Sequence, residues 1–132
     1  MKSILHIEDE SDIQAVARIA LEEVGGFSVT AVSSGRDGVS RAAEIRPDLI
    51  LLDVMMPGLD GPATLQALRE SPATAAIPVI FMTAKAQRHE VDRYRALGAL
   101  GVITKPFDPM TLASDVRSLW SSGRAGQGVP GD

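Results

Sequence analysis

The chain has 132 residues, enough for one domain, with a globular balance of 45% apolar and 23% charged residues. It contains no cysteine, which excludes disulfide frameworks, thiolate metal sites and cysteine nucleophiles. Thirteen basic against seventeen acidic residues leave a formal charge of −4, which argues against a uniform grip on nucleic-acid phosphates. No apolar run reaches the ~18 residues of a membrane span, and Glu8, Asp9 and Glu10 come too early for a signal peptide. A cytoplasmic domain is expected.

Short apolar runs alternate with longer amphipathic stretches. The first run, Ile4–Ile7, predicts a strand, and a helix follows from Ser11, whose pairing with Gln14 fits a capping box. Ile13, Val16, Ala17, Ala20 and Val24 recur at helical spacing and predict its inward face, ended by Gly25 and Gly26. Phe27–Val32 reads as the second strand, and a weaker helix, with Gly38 inside it, lies between Ser34 and Arg46. Leu49–Leu52 is the third strand, and Pro62 marks the first turn of the third helix, which buries Leu65 and Leu68. Val79–Met82 precedes a mostly polar fourth helix over Gln87–Leu97. A short fifth strand, Val102–Ile103, leads to a helix capped by Asp108, with Pro109 in its first turn and Leu112, Val116 and Leu119 on one stripe.

Strands that are continuously apolar rather than alternating are covered on both faces, as in a parallel sheet. Five such strands alternating with five helices predict an α/β fold whose right-handed crossovers place helices on both faces. The domain is expected to span residues 1–120. Ser121–Asp132, rich in glycine and lacking an apolar stripe, is expected to be a flexible tail.

In an open parallel sheet the functional crevice lies at the carboxyl ends of the strands. Glu8 and Asp9 follow the first strand, Asp53 the third, Thr83 the fourth and Lys105 the fifth. If the first and third strands are neighbours, three carboxylates converge and repel one another. A hard divalent cation with oxygen ligands removes that conflict, and Mg²⁺ takes one or two carboxylates plus water and phosphate. Thr83 adds a hydroxyl donor and Lys105 a point charge, both suited to phosphoryl oxygens.

Those segments carry a resemblance. Ile4-Leu5-His6-Ile7-Glu8-Asp9-Glu10, Leu49–Gly58 with its Asp53-x-x-Met56-Pro57-Gly58 loop and Gly61 beyond, Thr83-Ala84 and Lys105-Pro106-Phe107 resemble the receiver domain of two-component response regulators, in order and spacing over residues 3–120. The resemblance implies a flavodoxin-like sheet of order 2-1-3-4-5. It also implies that Asp53 accepts a phosphoryl group from a phosphohistidine on a sensor histidine kinase or phosphotransfer protein. Asp9 and Asp53 would hold Mg²⁺ directly, Glu8 through water, and the Met55 carbonyl would be a further ligand. Thr83 and the Ala84 N–H would bind phosphoryl oxygens, and Lys105 would neutralise another. A cis bond is expected at Lys105-Pro106. Such a chain catalyses only its own phosphorylation and dephosphorylation and is not otherwise an enzyme. It switches protein partners on the surface of helix four, strand five and helix five, without binding nucleic acid or membrane itself.

Three positions depart from the family's commonest pattern: Glu8 stands for an aspartate, Val102 for an aromatic, and Lys85 adds a charge beside the pocket. The rival reading is a Mg²⁺-dependent phosphohydrolase with Asp53 as turnover nucleophile. It lacks the second acid two residues on, where Met55 stands. Plainer roles are expected elsewhere. Glu10 suits a helix N-terminus, Thr83 could also cap a helix, and His89 is solvated. Trp120 packs, and His6 is a partly buried histidine with its hydrogen bonds satisfied.

Overall fold

The structure, a computed structural model, describes residues 2–126. Five strands, β1 (Ser3–Ile7), β2 (Ser28–Val32), β3 (Leu49–Asp53), β4 (Val79–Thr83) and β5 (Gly101–Thr104), form one sheet in the order β2-β1-β3-β4-β5. Every pairing is parallel, with Ile4 opposite Leu49, Asp53 opposite Met82 and Thr83 opposite Thr104. β3 and β4 are buried along their whole length, as continuous apolarity predicts.

Successive strand residues serve opposite layers. Ile4, Leu49, Leu51, Ile80, Met82 and Ile103 pack with Ala17, Ala20, Leu21, Leu112 and Val116 on one face. Leu5, Ile7, Ile50, Leu52, Val79 and Phe81 pack with Ala42, Leu65, Leu68 and Tyr94 on the other. Helices α1 (Ser11–Ile19) and α5 (Leu112–Gly126) therefore cover the first face, and α2 (Gly35–Ile45), α3 (Gly61–Glu70) and α4 (Arg88–Ala96) the second.

The helix starts show where local chemistry prevails. Ser34 caps α2 by accepting from the Asp37 N–H at 3.1 Å, and Asp60 caps α3 by accepting from the Ala63 N–H at 2.9 Å, with proline in that first turn. Asp108 accepts the Met110 N–H at 2.8 Å and so caps the turn that leads into α5 rather than its first helical residue. The expected Ser11–Gln14 capping box is absent. Glu10 is the N-cap of α1 without a side-chain bond, and Gln14 reaches elsewhere.

Two further expectations are corrected. α1 continues as a π-helical turn, Ala20–Val24, and its inward stripe is Ala17, Ala20 and Leu21. Val16 and Val24, expected inward, are 44% and 50% exposed: Val16 lies beside the stripe that Ala17, Ala20 and Leu21 form, and Val24 ends the wider turn, which rotates it off that face. At the other end, Ser121–Gly126 continue α5 rather than beginning a tail. Glycines allow close approach here: a Cβ on Gly123 would lie 2.3 Å from the tip of Leu100, and one on Gly101 2.7 Å from the tip of Leu119. Residues 127–132 of the expected tail lie outside the described residues. No helix among the described residues is long and apolar enough to cross a membrane.

The outer edge of β2 is partly closed. The Ser28 N–H bonds inward to Lys2, so alternation turns the Val29 N–H outward, where the Glu22 carboxylate accepts it at 3.3 Å.

Candidate functional site

β1 and β3 lie side by side, so their carboxyl ends bring Glu8 and Asp9 up to Asp53. One carboxylate oxygen from each lies within 4.8 Å of the others. Glu8 is fully buried and Asp53 nearly so, whereas Asp9 is exposed. Lys105 enters from β5 and donates to Glu8 Oε1 at 2.9 Å and to Asp53 Oδ1 at 3.2 Å. Glu8 also accepts the Glu10 N–H at 3.2 Å.

The charges are not balanced. One ammonium faces three carboxylates. Burial pushes the Glu8 carboxyl above its usual range and the negative charge of Asp53 adds to the rise, while the bonds from Lys105 and Glu10 offset only part of it. Burial alone would lower the Lys105 ammonium, but its bonds to Glu8 and Asp53 outweigh that and raise it. All the donors are oxygens, and the uncompensated negative charge is what a hard divalent cation would satisfy.

Thr83 is buried, and its hydroxyl accepts the Lys85 N–H at 3.1 Å in a local turn. It does not cap a helix, since Gln87 is the N-cap of α4. The Thr83 carbonyl takes the Lys105 N–H at 2.9 Å, so the ends of β4 and β5 are joined directly beside the acids. Ala84 is exposed and borders a hollow of about 570 Å³ with Lys85, Gln87, His89 and Thr104. The Met55 side chain is 77% exposed, and Lys105-Pro106 is cis. Gly61 is required where α3 starts, because a Cβ there would lie 2.7 Å from the Asp53 carbonyl oxygen.

The chain matches the response regulator receiver domain family over residues 4–117. It belongs to that family. The receiver is 38% identical over 126 residues to the transcriptional regulatory protein CseB of Streptomyces coelicolor, covering 95% of this chain and 52% of that protein. It is 34% identical to the protein PilH of Pseudomonas aeruginosa, covering 86% of this chain and 93% of PilH. The chain spans about half the length of the first curated relatives it matches. Among solved structures, chemotaxis protein CheY4 of Vibrio cholerae superposes with a TM-score of 0.82 at 27% identity, covering 90% of this chain and 98% of that one. The receiver domain of a signal transduction histidine kinase from Syntrophus aciditrophicus superposes with a TM-score of 0.78 at 37% identity, covering 92% of each. The receiver thus has the flavodoxin-like fold of CheY-like proteins, and its family function is phosphoacceptor signalling.

Two features of the site escaped sequence reasoning. His6 is fully buried with neither ring nitrogen bonded, not satisfied as expected. Burial, with the positive charge of Lys105 adding to it, pushes the imidazole down to about 4. Gln14 belongs to the acidic loop rather than to its own helix cap. The signal that could have singled it out is a long amide one turn into the helix that leaves the acids.

Proposed function

We propose that Asp53 accepts a phosphoryl group from a phosphohistidine on a sensor kinase or phosphotransfer protein, and that the adduct switches the docking of a downstream protein. The observation that carries this reading is the convergence of Glu8, Asp9 and Asp53, with the Lys105 ammonium bridging Glu8 and Asp53. In the transfer, the P–N bond of the donor breaks as a P–O bond forms to an Asp53 carboxylate oxygen. The histidine nitrogen keeps the electron pair, and the product is an acyl phosphate.

Little covalent work falls to the protein, so its residues act by position and charge. Lys105, already beside Asp53, neutralises one phosphoryl oxygen, and the Thr83 hydroxyl and Ala84 N–H donate to others. Asp9 and Asp53 would hold Mg²⁺ directly, Glu8 through water, and the Met55 carbonyl would add a ligand. Bound there, Mg²⁺ supplies the positive charge that lets an anionic donor approach carboxylates. The output face is α4, β5 and α5. A hollow of about 430 Å³ opens there between Val102, Phe107, Asp108, Asp115 and Leu119. A turnover phosphohydrolase is disfavoured, because Met55 offers no acid to activate water. The chain therefore acts on itself alone, in the cytoplasm.

Intact-mass analysis after incubation with a small phosphodonor and Mg²⁺ tests the assignment. One acid-stable, base-labile adduct is expected on Asp53, absent from Asp53→Asn and after chelation. Labelling at another residue, or equal labelling without the cation, would overturn it.

A further inference from the structure

The Gln14 amide turns away from its own helix. It donates to the Glu8 carbonyl at 2.5 Å and to the Val32 carbonyl at 3.1 Å, with the Ser33 hydroxyl at 3.3 Å. Carbonyl oxygens only accept, so the amide nitrogen must face them, and its two N–H groups match the two carbonyls. The Glu8 backbone is thereby held at both ends, since its own N–H donates to Val32 at 3.0 Å. The carbonyl that Gln14 holds belongs to the peptide leading into Asp9, and a peptide is planar. Its orientation therefore sets the direction in which Asp9 leaves the chain. On its other side Asp9 is tied through the Glu10 N–H, which donates to the Glu8 carboxylate at 3.2 Å, while the exposed Asp9 carboxylate itself makes no hydrogen bond among the described residues.

We propose that Gln14 is a positioning residue of the phosphoryl-acceptor site, fixing the Glu8–Asp9 peptide so that the Asp9 carboxylate is aimed at a cation beside Asp53. The proposal rests on the receiver reading of the acids. It names a residue outside the acids, the threonine and the lysine, acting through backbone rather than on the reacting atoms.

The test is Mg²⁺ binding to the full chain, measured by calorimetry, for wild type and for Gln14→Met, which keeps the shape but has no donor. Loss of an outer partner of a metal ligand typically lowers affinity by about 10-fold, and a loss of that order is expected here. Phosphorylation at saturating Mg²⁺ should stay near wild type, while the Mg²⁺ concentration for half-maximal rate rises by the same factor. The Asp9 and Glu10 amides should also exchange hydrogen faster. Gln14→Asn, whose amide is one methylene too short to reach both carbonyls, should weaken binding in the same way, and it decides the matter if Gln14→Met does not fold. Wild-type Mg²⁺ affinity in either folded variant would overturn the proposal. A wild-type protein that neither binds Mg²⁺ nor gains an adduct on Asp53 would instead refute the reading of the site itself.

Discussion

The Lys105 ammonium lies 2.9 Å from an oxygen of Glu8, a carboxylate with no exposure to solvent. Removing one partner of a buried ion pair leaves the other uncompensated, which costs about 3 kcal/mol. Lys105→Met should therefore lose stability of that order in a chelating buffer. Part of the loss should return on adding millimolar Mg²⁺, which supplies the missing positive charge. Denaturant titration with and without the cation measures both, and an equal loss in the two buffers would separate the lysine from the acids.

The same substitution should uncouple the switch. Lys105 joins the acids to the end of β5, and its backbone N–H is bonded to Thr83. Lys105→Met should still take phosphate on Asp53 while losing most of its response. Partner affinity that still changes on phosphorylation as in wild type would refute this role.

His6 and Glu8 contribute to the pH dependence with opposite signs, and His6 is the component that a single substitution isolates. Its imidazole is held at about 4 in the folded protein, against 6.5 when solvated. At this group the unfolded chain therefore binds the proton first, and the stability His6 contributes falls as pH drops from 6.5 towards 4, then levels off. The loss across that window is roughly 3 kcal/mol. His6→Leu removes this component and also two unbonded buried nitrogens. It should raise stability at neutral pH by about 1 kcal/mol. Parallel pH-stability curves for the two proteins would contradict this account.

Gly38 tests close packing against helix propensity. Alanine is favoured in a helix by about 1 kcal/mol, yet a Cβ at position 38 would lie 2.3 Å from Ile7 Cδ1, which is fully buried. Gly38→Ala should therefore destabilise by about 1–3 kcal/mol. Ile7→Val, which removes the offending methyl, should recover part of that in the double variant.

The response to phosphorylation should concentrate in residues 84–97. Val102 is too small to act as a swinging gate, and α4 is anchored chiefly by Tyr94, whose ring meets Phe81 edge-on at 5.0 Å between centroids. Val91 is half-buried and Leu97 is 47% exposed, so the helix is lightly held. Hydrogen exchange with and without a phosphoryl mimic on Asp53 should change there. Changes confined to α1 would contradict it.

The sequence by itself determined the layered α/β architecture, because continuously apolar strands that alternate with amphipathic helices are covered on both faces when the helices cross between parallel strands. It also put Glu8, Asp9, Asp53, Thr83 and Lys105 after the ends of strands, whereas the adjacency of β1 and β3 that brings the acids together is a property of the folded sheet. Asp108 was legible as a cap, though of the turn that leads into α5, because a cap acts within a few residues of chain.

Tertiary structure decided what depends on neighbours distant in sequence. Gln14 has a plausible partner three residues back, yet two carbonyls at the ends of β1 and β2 hold its amide instead. Val16 and Val24 fit a helical stripe, but the face that meets the sheet is that of Ala17, Ala20 and Leu21, and the π turn rotates Val24 away from it. Ser121–Gly126 lack an apolar stripe and still extend α5, and at Gly123 the half-buried Leu100 side chain lies where the helix's own side chain would be. Periodicity records the side chains a segment contributes. It does not record those that arrive from elsewhere, as Leu100 does at Gly123.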